Sequence, residues 1–117
     1  MAHVVVTVPK KIWPAWLAEG DAAGEPYSGN WSYFRVANVP KIEVGERVYV
    51  VSHGKLRGYA PLVAIARHFK GEPGTFLVRA GGAVACTIPY DINGFQGYRY
   101  IWWSQYDELP FPDWRVP

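Results

Sequence analysis

The fold is decided by the stretch Arg47-Val48-Tyr49-Val50-Val51-Ser52-His53-Gly54-Lys55 and by the segment that follows it, 56–66. β-Branched and aromatic residues dominate 47–52, which predicts a strand. His53-Gly54-Lys55 predicts a tight turn, because glycine adopts the positive φ angle that such turns require. The chain then returns as a second, longer strand, in which Gly58 and Pro61 predict a bulge or a bend. The stretch therefore predicts an antiparallel hairpin.

Short apolar runs on both sides of this hairpin predict further strands and turns. The strands are predicted over 3–8, 31–36, 75–79, 83–88 and 98–103, and the turns at 71–74, Gly81-Gly82 and Asn93-Gly94. Residues 11–19 predict a short helix with Ile12 and Trp16 on its apolar face, and Gly20 ends it. A loop covers 20–30. This order predicts a mainly β fold with one or two short helices (α+β), built as a small, partly open β-barrel that forms a single domain over residues 1–117.

The composition fits a folded protein and excludes few partners. Among 117 residues, hydrophobic residues make up 50%, and the net charge is +2. A charge this small permits a polyanionic partner, but the chain lacks the dense Lys/Arg clusters of a non-specific DNA binder. No apolar run approaches the ~20 residues of a membrane span, so we expect no membrane partner and a cytoplasmic location. The single cysteine, Cys86, lies in an apolar run and is interpreted as a buried small hydrophobic residue.

The sequence predicts neither a cofactor nor a metal. Residues 20–29 are rich in glycine but lack the lysine of a phosphate-binding P-loop. His3, His53 and His68 show no metal-ligand spacing. Ser52 precedes His53 directly, and neighbours on a strand point to opposite faces, so we expect the two not to act on each other. Because no catalytic set is visible, a binding protein is the favoured class and an enzyme the less favoured one.

Aromatic residues are unusually abundant, with 6 Trp and 8 Tyr. A domain this small has difficulty burying all of them, which favours a surface pocket lined by some of the rings. Trp31, Tyr33 and Arg35 alternate along a predicted strand and therefore share one face. The predicted strand 98–103 carries aromatic residues on both faces, of which one must be core. These observations favour a flat ligand.

The segment 109–114, Leu-Pro-Phe-Pro-Asp-Trp, is stiffened by proline and carries two aromatic residues. We expect it to wrap around the barrel. A segment of this kind also suits docking to a partner or to a second copy, so a protein-interaction module is a third class of function. The sequence predicts no particular oligomeric state.

Two neighbouring patterns resemble the PUA-like superfamily, in its ASCH and EVE branches. The first is 42–51, Ile-Glu-Val-Gly-Glu-Arg-Val-Tyr-Val-Val, which matches the superfamily's Gly-[Asp/Glu]-Arg turn followed by four apolar residues. The second is the returning strand that begins at His53-Gly54-Lys55-Leu56-Arg57-Gly58. The aromatic stretch 31–35 is similar to the segment that precedes this pair in EVE-like domains. The resemblance covers most of the chain in the order of its elements.

The resemblance implies a cleft between barrel and helix that accommodates RNA, or a modified or flipped base. EVE and the related YTH domains hold such a base in an aromatic cage. We therefore expect a nucleobase-containing ligand in DNA, RNA or a nucleotide-like small molecule, with stacking worth roughly 1–3 kcal/mol per base. The candidate ligand-binding residues comprise four rings that stack (Trp31, Tyr33, Trp102, Trp103), two cations for phosphate or base edges (Arg35, Arg99) and two polar groups (Asn30, Ser52).

The main alternative is a small hydrolase that acts on an acylated or modified nucleoside. Some ASCH proteins are amidohydrolases of this kind and use Lys, Thr and Glu. That trio has no clear place in this chain. The segment 20–27 also lacks the Lys and the Arg of the Gly-x-Lys-x-x-Glu-x-Arg stretch that often follows the first helix in ASCH domains. No catalytic residue is therefore assigned.

Overall fold

A computed structural model describes residues 2–14, 17, 33–69, 71–79, 84–114 and 116, and for Tyr33, Phe69 and Glu72 it describes the backbone alone. Within these residues, the strands are β1 (Val4–Thr7), β2 (Tyr33–Val36), β3 (Arg47–Ser52), β4 (Lys55–Phe69), β5 (Glu72–Arg79), β6 (Val84–Thr87), β7 (Tyr98–Tyr100) and β8 (Leu109–Pro110). A 3-10 helix covers Gln105–Asp107. Across the described ranges, no helix has the length and apolar character needed to cross a membrane.

The strands form one curled, half-barrel sheet, so the fold is mainly β as predicted. Along the sheet the order is β2-β5-β4-β3-β1-β7, while β6 pairs with the first part of β4 and β8 pairs with β6. β1 and β3 run parallel, and the other pairs are antiparallel. The two ends of the row are therefore β2 and β7. We call the opening between these two end strands the seam.

The central hairpin of β3 and β4 is confirmed. His53 has a φ angle of 53° and Gly54 one of 72°, as a two-residue turn of mirror-image type requires. Val50 lies opposite Gly58 while Val51 lies opposite Leu56, so the predicted bulge is present and Arg57 is the extra residue. At Gly58 a Cβ atom would lie 2.5 Å from the carbonyl oxygen of Val84. The glycine thus allows β6 to approach β4 closely.

β1 and β3 are buried on both faces, which explains their nearly unbroken apolar sequences. Val4, Val6, Val48 and Val50 pack into the cluster that fills the curl of the sheet. The alternate residues of β1 and β3, which are Val5, Tyr49 and Val51, point to the other face of the sheet and pack into a second cluster there. Its members are Val5, Tyr49, Val51, Leu56, Cys86, Ile88, Ile92 and Trp103. The sheet is therefore the central layer between two apolar clusters.

The C-terminal segment packs against the barrel, as predicted for 109–114. Trp114 is buried, and its ring meets that of Trp13 edge to face with centroids 6.1 Å apart. The buried guanidinium of Arg57 donates to the carbonyl oxygens of Trp114 (3.3 Å) and Val116 (2.6 Å). It also donates to the carbonyl of Ser52 at 2.8 Å. Arg57 therefore holds the C-terminal segment to the end of β3.

Three predicted boundaries of strands and turns were wrong. The predicted strand 98–103 ends at Tyr100; the backbone N–H of Ile101 still donates to the carbonyl oxygen of His3 at 3.1 Å, and Trp103 then lies in the core. The predicted turn 71–74 is shorter, since β5 already begins at Glu72 and pairs there with Phe69. The turn predicted at Asn93-Gly94 falls instead on Gln96-Gly97, where Gly97 has a φ angle of 72°.

Some predictions lie wholly or partly outside the described residues. Trp13, Pro14 and Leu17 have helical backbone within the helix predicted over 11–19, but Lys11 and Ile12 lie in a turn, so the predicted start was wrong; residues 15, 16, 18 and 19 are not described. The loop 20–30, the turn Gly81-Gly82, and the first two residues of the strand predicted over 31–36 also lie outside the described ranges.

We expect Cys86 to be inert towards alkylation in the folded protein. Its side chain is buried in the second apolar cluster, and burial, together with the negative charge of Glu108, raises the pKa of the thiol to about 12. At about pH 8 the thiolate fraction is then roughly a thousandfold below that of an unfolded cysteine. Iodoacetamide labelling followed by mass spectrometry checks this, with the chain in guanidinium chloride as the reactive control. Rapid labelling of the folded chain would contradict the burial.

Candidate functional site

A cavity of about 710 Å³ opens at the seam, between β2 and the residues that lead into β7. Three segments line this seam cavity: the end of β2 and its continuation (Arg35, Val36, Ala37), the start of β5 (Gly74, Thr75) and the bend before β7 (Gln96, Gly97). Because β2 and β7 are the two ends of the strand row, the cavity occupies the place where a closed barrel would have strand pairing. The open edge of the sheet thereby creates the site.

Arg35 reaches this cavity because of its position on β2. Its neighbours Phe34 and Val36 pack into the apolar cluster inside the curl, so alternation turns Arg35 to the other face. Arg35 is exposed and lies opposite Phe76 on β5. The sequence predicted only that Arg35 shares a face with Trp31 and Tyr33; the structure shows that this face of β2 at Arg35 points away from the apolar cluster.

Gly74 provides the surface on which the guanidinium of Arg35 rests. A Cβ atom at position 74 would lie 3.0 Å from Nε and 3.4 Å from Nη2 of Arg35. Gly74 also has a φ angle of 138°, which residues with a Cβ rarely adopt. The missing side chain therefore lets the guanidinium lie close to the backbone of β5, which fixes its position at the cavity.

The seam is bridged beyond the cavity by β7. Lys41 donates its backbone N–H to the Oη atom of Tyr100 at 2.8 Å, which ties the segment after β2 to β7. The rings of Tyr98 and Tyr100 meet edge to face with centroids 5.7 Å apart. Tyr100 is 44% exposed, whereas Tyr98 packs against the cluster inside the curl. Beyond the cavity, the gap between the two end strands is therefore flanked by the exposed ring of Tyr100 and by Lys41.

The structure brings to the seam cavity none of the other predicted site residues whose side chains it describes. Arg99 lies on the face of β7 opposite to Tyr98 and Tyr100, and its guanidinium covers the ring of Phe95 at 4.5 Å. Trp102 is 50% exposed and packs edge to face on Trp103. Asn30 and Trp31 lie outside the described residues, and for Tyr33 only the backbone, which begins β2, is described.

Trp103 lies in the core instead of at the surface. It is 6% exposed, and its Nε1 donates to Glu108 Oε2 at 3.0 Å. The same carboxylate accepts from Tyr49 Oη at 2.6 Å and from Arg47 Nη1 at 3.1 Å. Burial and the hydrogen bond to Glu108 raise the pKa of Tyr49 far above its ordinary value. The four side chains form a satisfied network that anchors the chain after β7.

Ser52 and His53 form a contact that the sequence argued against. Ser52 Oγ and His53 Nδ1 lie 3.1 Å apart, because the positive φ angle of His53 takes it out of the alternation of the strand. Ser52 is only 1% exposed. A hydroxyl closed off in this way does not reach a substrate, so the pair is a structural contact at the hairpin turn.

Among the described residues, no three His, Cys, Asp or Glu side chains stand close enough together to hold a metal ion. Comparison of the chain with protein-family models, curated proteins and solved structures finds no match.

Proposed function

We propose that this chain is a PUA-like barrel that binds a nucleobase-containing ligand at the seam cavity. The observation that carries the proposal is the cavity itself, which presents a positioned guanidinium at an opening of the barrel. Its volume of about 710 Å³ lies within the range of ligand pockets in proteins, roughly 300–1,000 Å³.

The lining supplies groups that suit the edge of a base or a phosphate. Arg35 offers two parallel N–H donors, a geometry that matches guanine edges and phosphate oxygens. The Gln96 side chain offers a donor and an acceptor, which suits an adenine edge. Gly74 and Gly97 contribute backbone without side chains, so a flat ligand can approach closely. These groups recognise a polar, flat and anionic ligand.

Stacking rings complete the proposed site. Trp31 and Tyr33 precede Arg35 at alternate positions, so we keep them as the stacking partners on the strand side. A single-stranded nucleic acid or a nucleotide would gain roughly 1–3 kcal/mol from each stacked base.

The burial of Ser52 favours binding over hydrolysis. Its hydroxyl lies beside the imidazole of His53, as a catalytic serine would, but it is buried and does not reach a substrate. The seam cavity offers Thr75 but no imidazole or carboxylate among its lining residues, all of which the structure describes. General-base activation of a nucleophile requires such a partner within hydrogen-bond reach. The hydrolase alternative therefore has no observation in its favour at this site.

Replacing Arg35 by alanine is expected to weaken ligand binding by about tenfold or more, because a hydrogen bond to a charged partner is lost. Gly74→Ala should weaken binding as well, although it leaves every charge in place, because the new Cβ displaces the guanidinium. Titration of the intrinsic tryptophan fluorescence with nucleoside monophosphates and with mixed-sequence single-stranded DNA and RNA measures both effects.

Arg67→Ala is the matched control, since Arg67 is an exposed arginine on β4 that does not line the seam cavity. It should bind as the wild type does, apart from a small general loss at low salt. If Arg35→Ala binds as tightly as Arg67→Ala, the ligand does not sit at the seam. If none of the probes gives a saturable signal, the proposed ligand class is wrong.

A further inference from the structure

A second cavity, of about 500 Å³, lies at the other end of β7 from the seam cavity. Ala2, His3, Lys41, Tyr100 and Ile101 line it, and we call it the His3 cavity. None of these residues lines the seam cavity. The His3 cavity is therefore a separate place at which a ligand can bind.

Each polar side chain in this lining offers a hydrogen-bond donor. Tyr100 Oη accepts the backbone N–H of Lys41, and a hydrogen bond with Tyr100 contributes to the raised pKa of Tyr98. With Tyr98 as the donor of that bond, the proton of Tyr100 is left for a ligand. His3 Nδ1 accepts the backbone N–H of Arg47 at 2.9 Å, so the neutral ring carries its proton on Nε2. Lys41 adds an exposed ammonium group. The lining thus includes three residues with donor groups, one of them cationic, and two residues, Ala2 and Ile101, whose side chains are apolar.

The carboxylates near His3 are engaged elsewhere. Glu46 accepts from the backbone N–H of Ala2 at 2.7 Å through Oε2 and from that of Glu43 at 2.9 Å through Oε1. Glu108 is held by Arg47, Tyr49 and Trp103, as described above. Both carboxylates therefore have donors of their own and leave the donors of the cavity lining to a ligand.

His3 offers its donor as a neutral ring. Burial lowers its pKa, Glu46 and Glu108 oppose that change, and Arg47 and the amino terminus add to it. In the free protein the neutral ring is thus favoured at neutral pH. A further proton would have to go to Nδ1, which already accepts the backbone N–H of Arg47, so we expect His3 to bind an anion through its Nε2–H without taking up a proton.

We propose that the His3 cavity binds an oxyanion of the phosphate class, held by Lys41, Tyr100 and His3. The inference goes beyond the proposed function, because it depends on no base and on no residue of the seam cavity. The oxyanion has two sources, a free phosphate or a phosphodiester of a longer ligand. The second follows from the layout, since Gly97 of the seam cavity and Tyr100 of the His3 cavity are three residues apart, which places them at most about 11 Å from each other.

Nitrogen-15 NMR of the His3 imidazole in the full chain tests the proposal, with inorganic phosphate titrated at constant ionic strength. We expect a saturable shift of the His3 Nε2 signal, with the ring remaining neutral. Lys41→Ala should weaken the response at least about tenfold, and Tyr100→Phe should weaken it less. In His3→Gln, which loses the ring Nε2–H, the backbone amide signals of 41–43 should report weaker binding.

Lys55→Ala is the matched control, because Lys55 is an exposed lysine at the far end of the central hairpin and should leave the response unchanged. Arg35→Ala should also leave it unchanged, which separates this inference from the proposed function. A second titration with a dinucleoside monophosphate distinguishes the sources: a response to phosphate indicates the free oxyanion, and a response to the dinucleoside alone indicates a phosphodiester. Absence of a saturable response to both, or a response that survives Lys41→Ala, overturns the proposal.

Discussion

Glu108→Ala is expected to lower the free energy of unfolding by about 3 kcal/mol. The substitution leaves the buried hydroxyl of Tyr49 and the indole N–H of Trp103 without their acceptor, and each such loss costs about 1–3 kcal/mol. Arg47 also loses its ion pair, but its side chain is 31% exposed, so solvent offsets much of that loss. The large effect comes from the unsatisfied donors and not from the ion pair.

Chemical denaturation followed by tryptophan fluorescence measures this effect. Glu108→Gln keeps an acceptor for one of the donors and should lose only about 1–2 kcal/mol. Asp107→Ala is the matched control, since Asp107 is the exposed acid beside Glu108, and its effect should stay within about 0.5 kcal/mol. A loss below about 1 kcal/mol for Glu108→Ala would show that the network does not anchor the chain after β7.

Gly58→Ala is expected to destabilise the fold by a similar amount, about 3 kcal/mol. The new Cβ would lie 2.5 Å from the carbonyl oxygen of Val84, a distance that no real Cβ contact reaches. Because the obstructing atom belongs to the backbone, a side-chain rotation does not relieve the clash. β6 must move away from β4, and overpacking of this kind costs about 1–3 kcal/mol or more.

Gly45→Ala separates the clash from the loss of glycine itself. Gly45 also has a positive φ angle, 92°, but a Cβ there would meet nothing within 4 Å. It should therefore cost only about 1–2 kcal/mol, the usual penalty for a side chain in that backbone region. Hydrogen exchange at Ala85, which pairs with Gly58, should speed up in Gly58→Ala alone. Equal losses in the two variants would contradict the close approach of β6.

The central hairpin was predictable because its signals are local. The strand composition of 47–52, the glycine of the turn and the glycine of the bulge each act within a few residues. The buried apolar run around Val5 was predictable as well, since a strand covered on both faces has no polar alternation. Local chemistry thus sufficed for the strands at the centre of the sheet.

Most of the elements that failed depend on residues far along the chain. The strand predicted over 98–103 ends at Tyr100, opposite Val4, the first residue of β1, and no property of 98–103 reveals this. Trp103 turns inward towards Tyr49 and Glu108, and the Tyr49–Glu108 bond spans 59 residues. His53 is a local case, because its own positive φ angle takes it out of the strand alternation, so that it meets Ser52.

The candidate site was predictable in part for the same reason. Alternation along the strand predicted which residues share a face with Arg35, but not that this face points outward. Gly74 was interpreted as a turn residue, although a glycine in a strand also signals a close approach, here that of Arg35. No local pattern marks Gln96, Gly97, Lys41 and His3 as site residues, because the two cavities form between segments that only the curled sheet brings together.

The position of β1 also has a consequence during synthesis. β1 precedes both of its partners, since Val4 pairs with Val48, 44 residues later (48 − 4), and with Tyr100, 96 residues later (100 − 4). Because the ribosome adds about 5–20 residues per second, the apolar side chains of β1 lack their β7 partner for on the order of ten seconds. The β3–β4 hairpin closes a much shorter loop and should form first. The valines of β1 are therefore the segment of the nascent chain that we expect a ribosome-associated chaperone to shield.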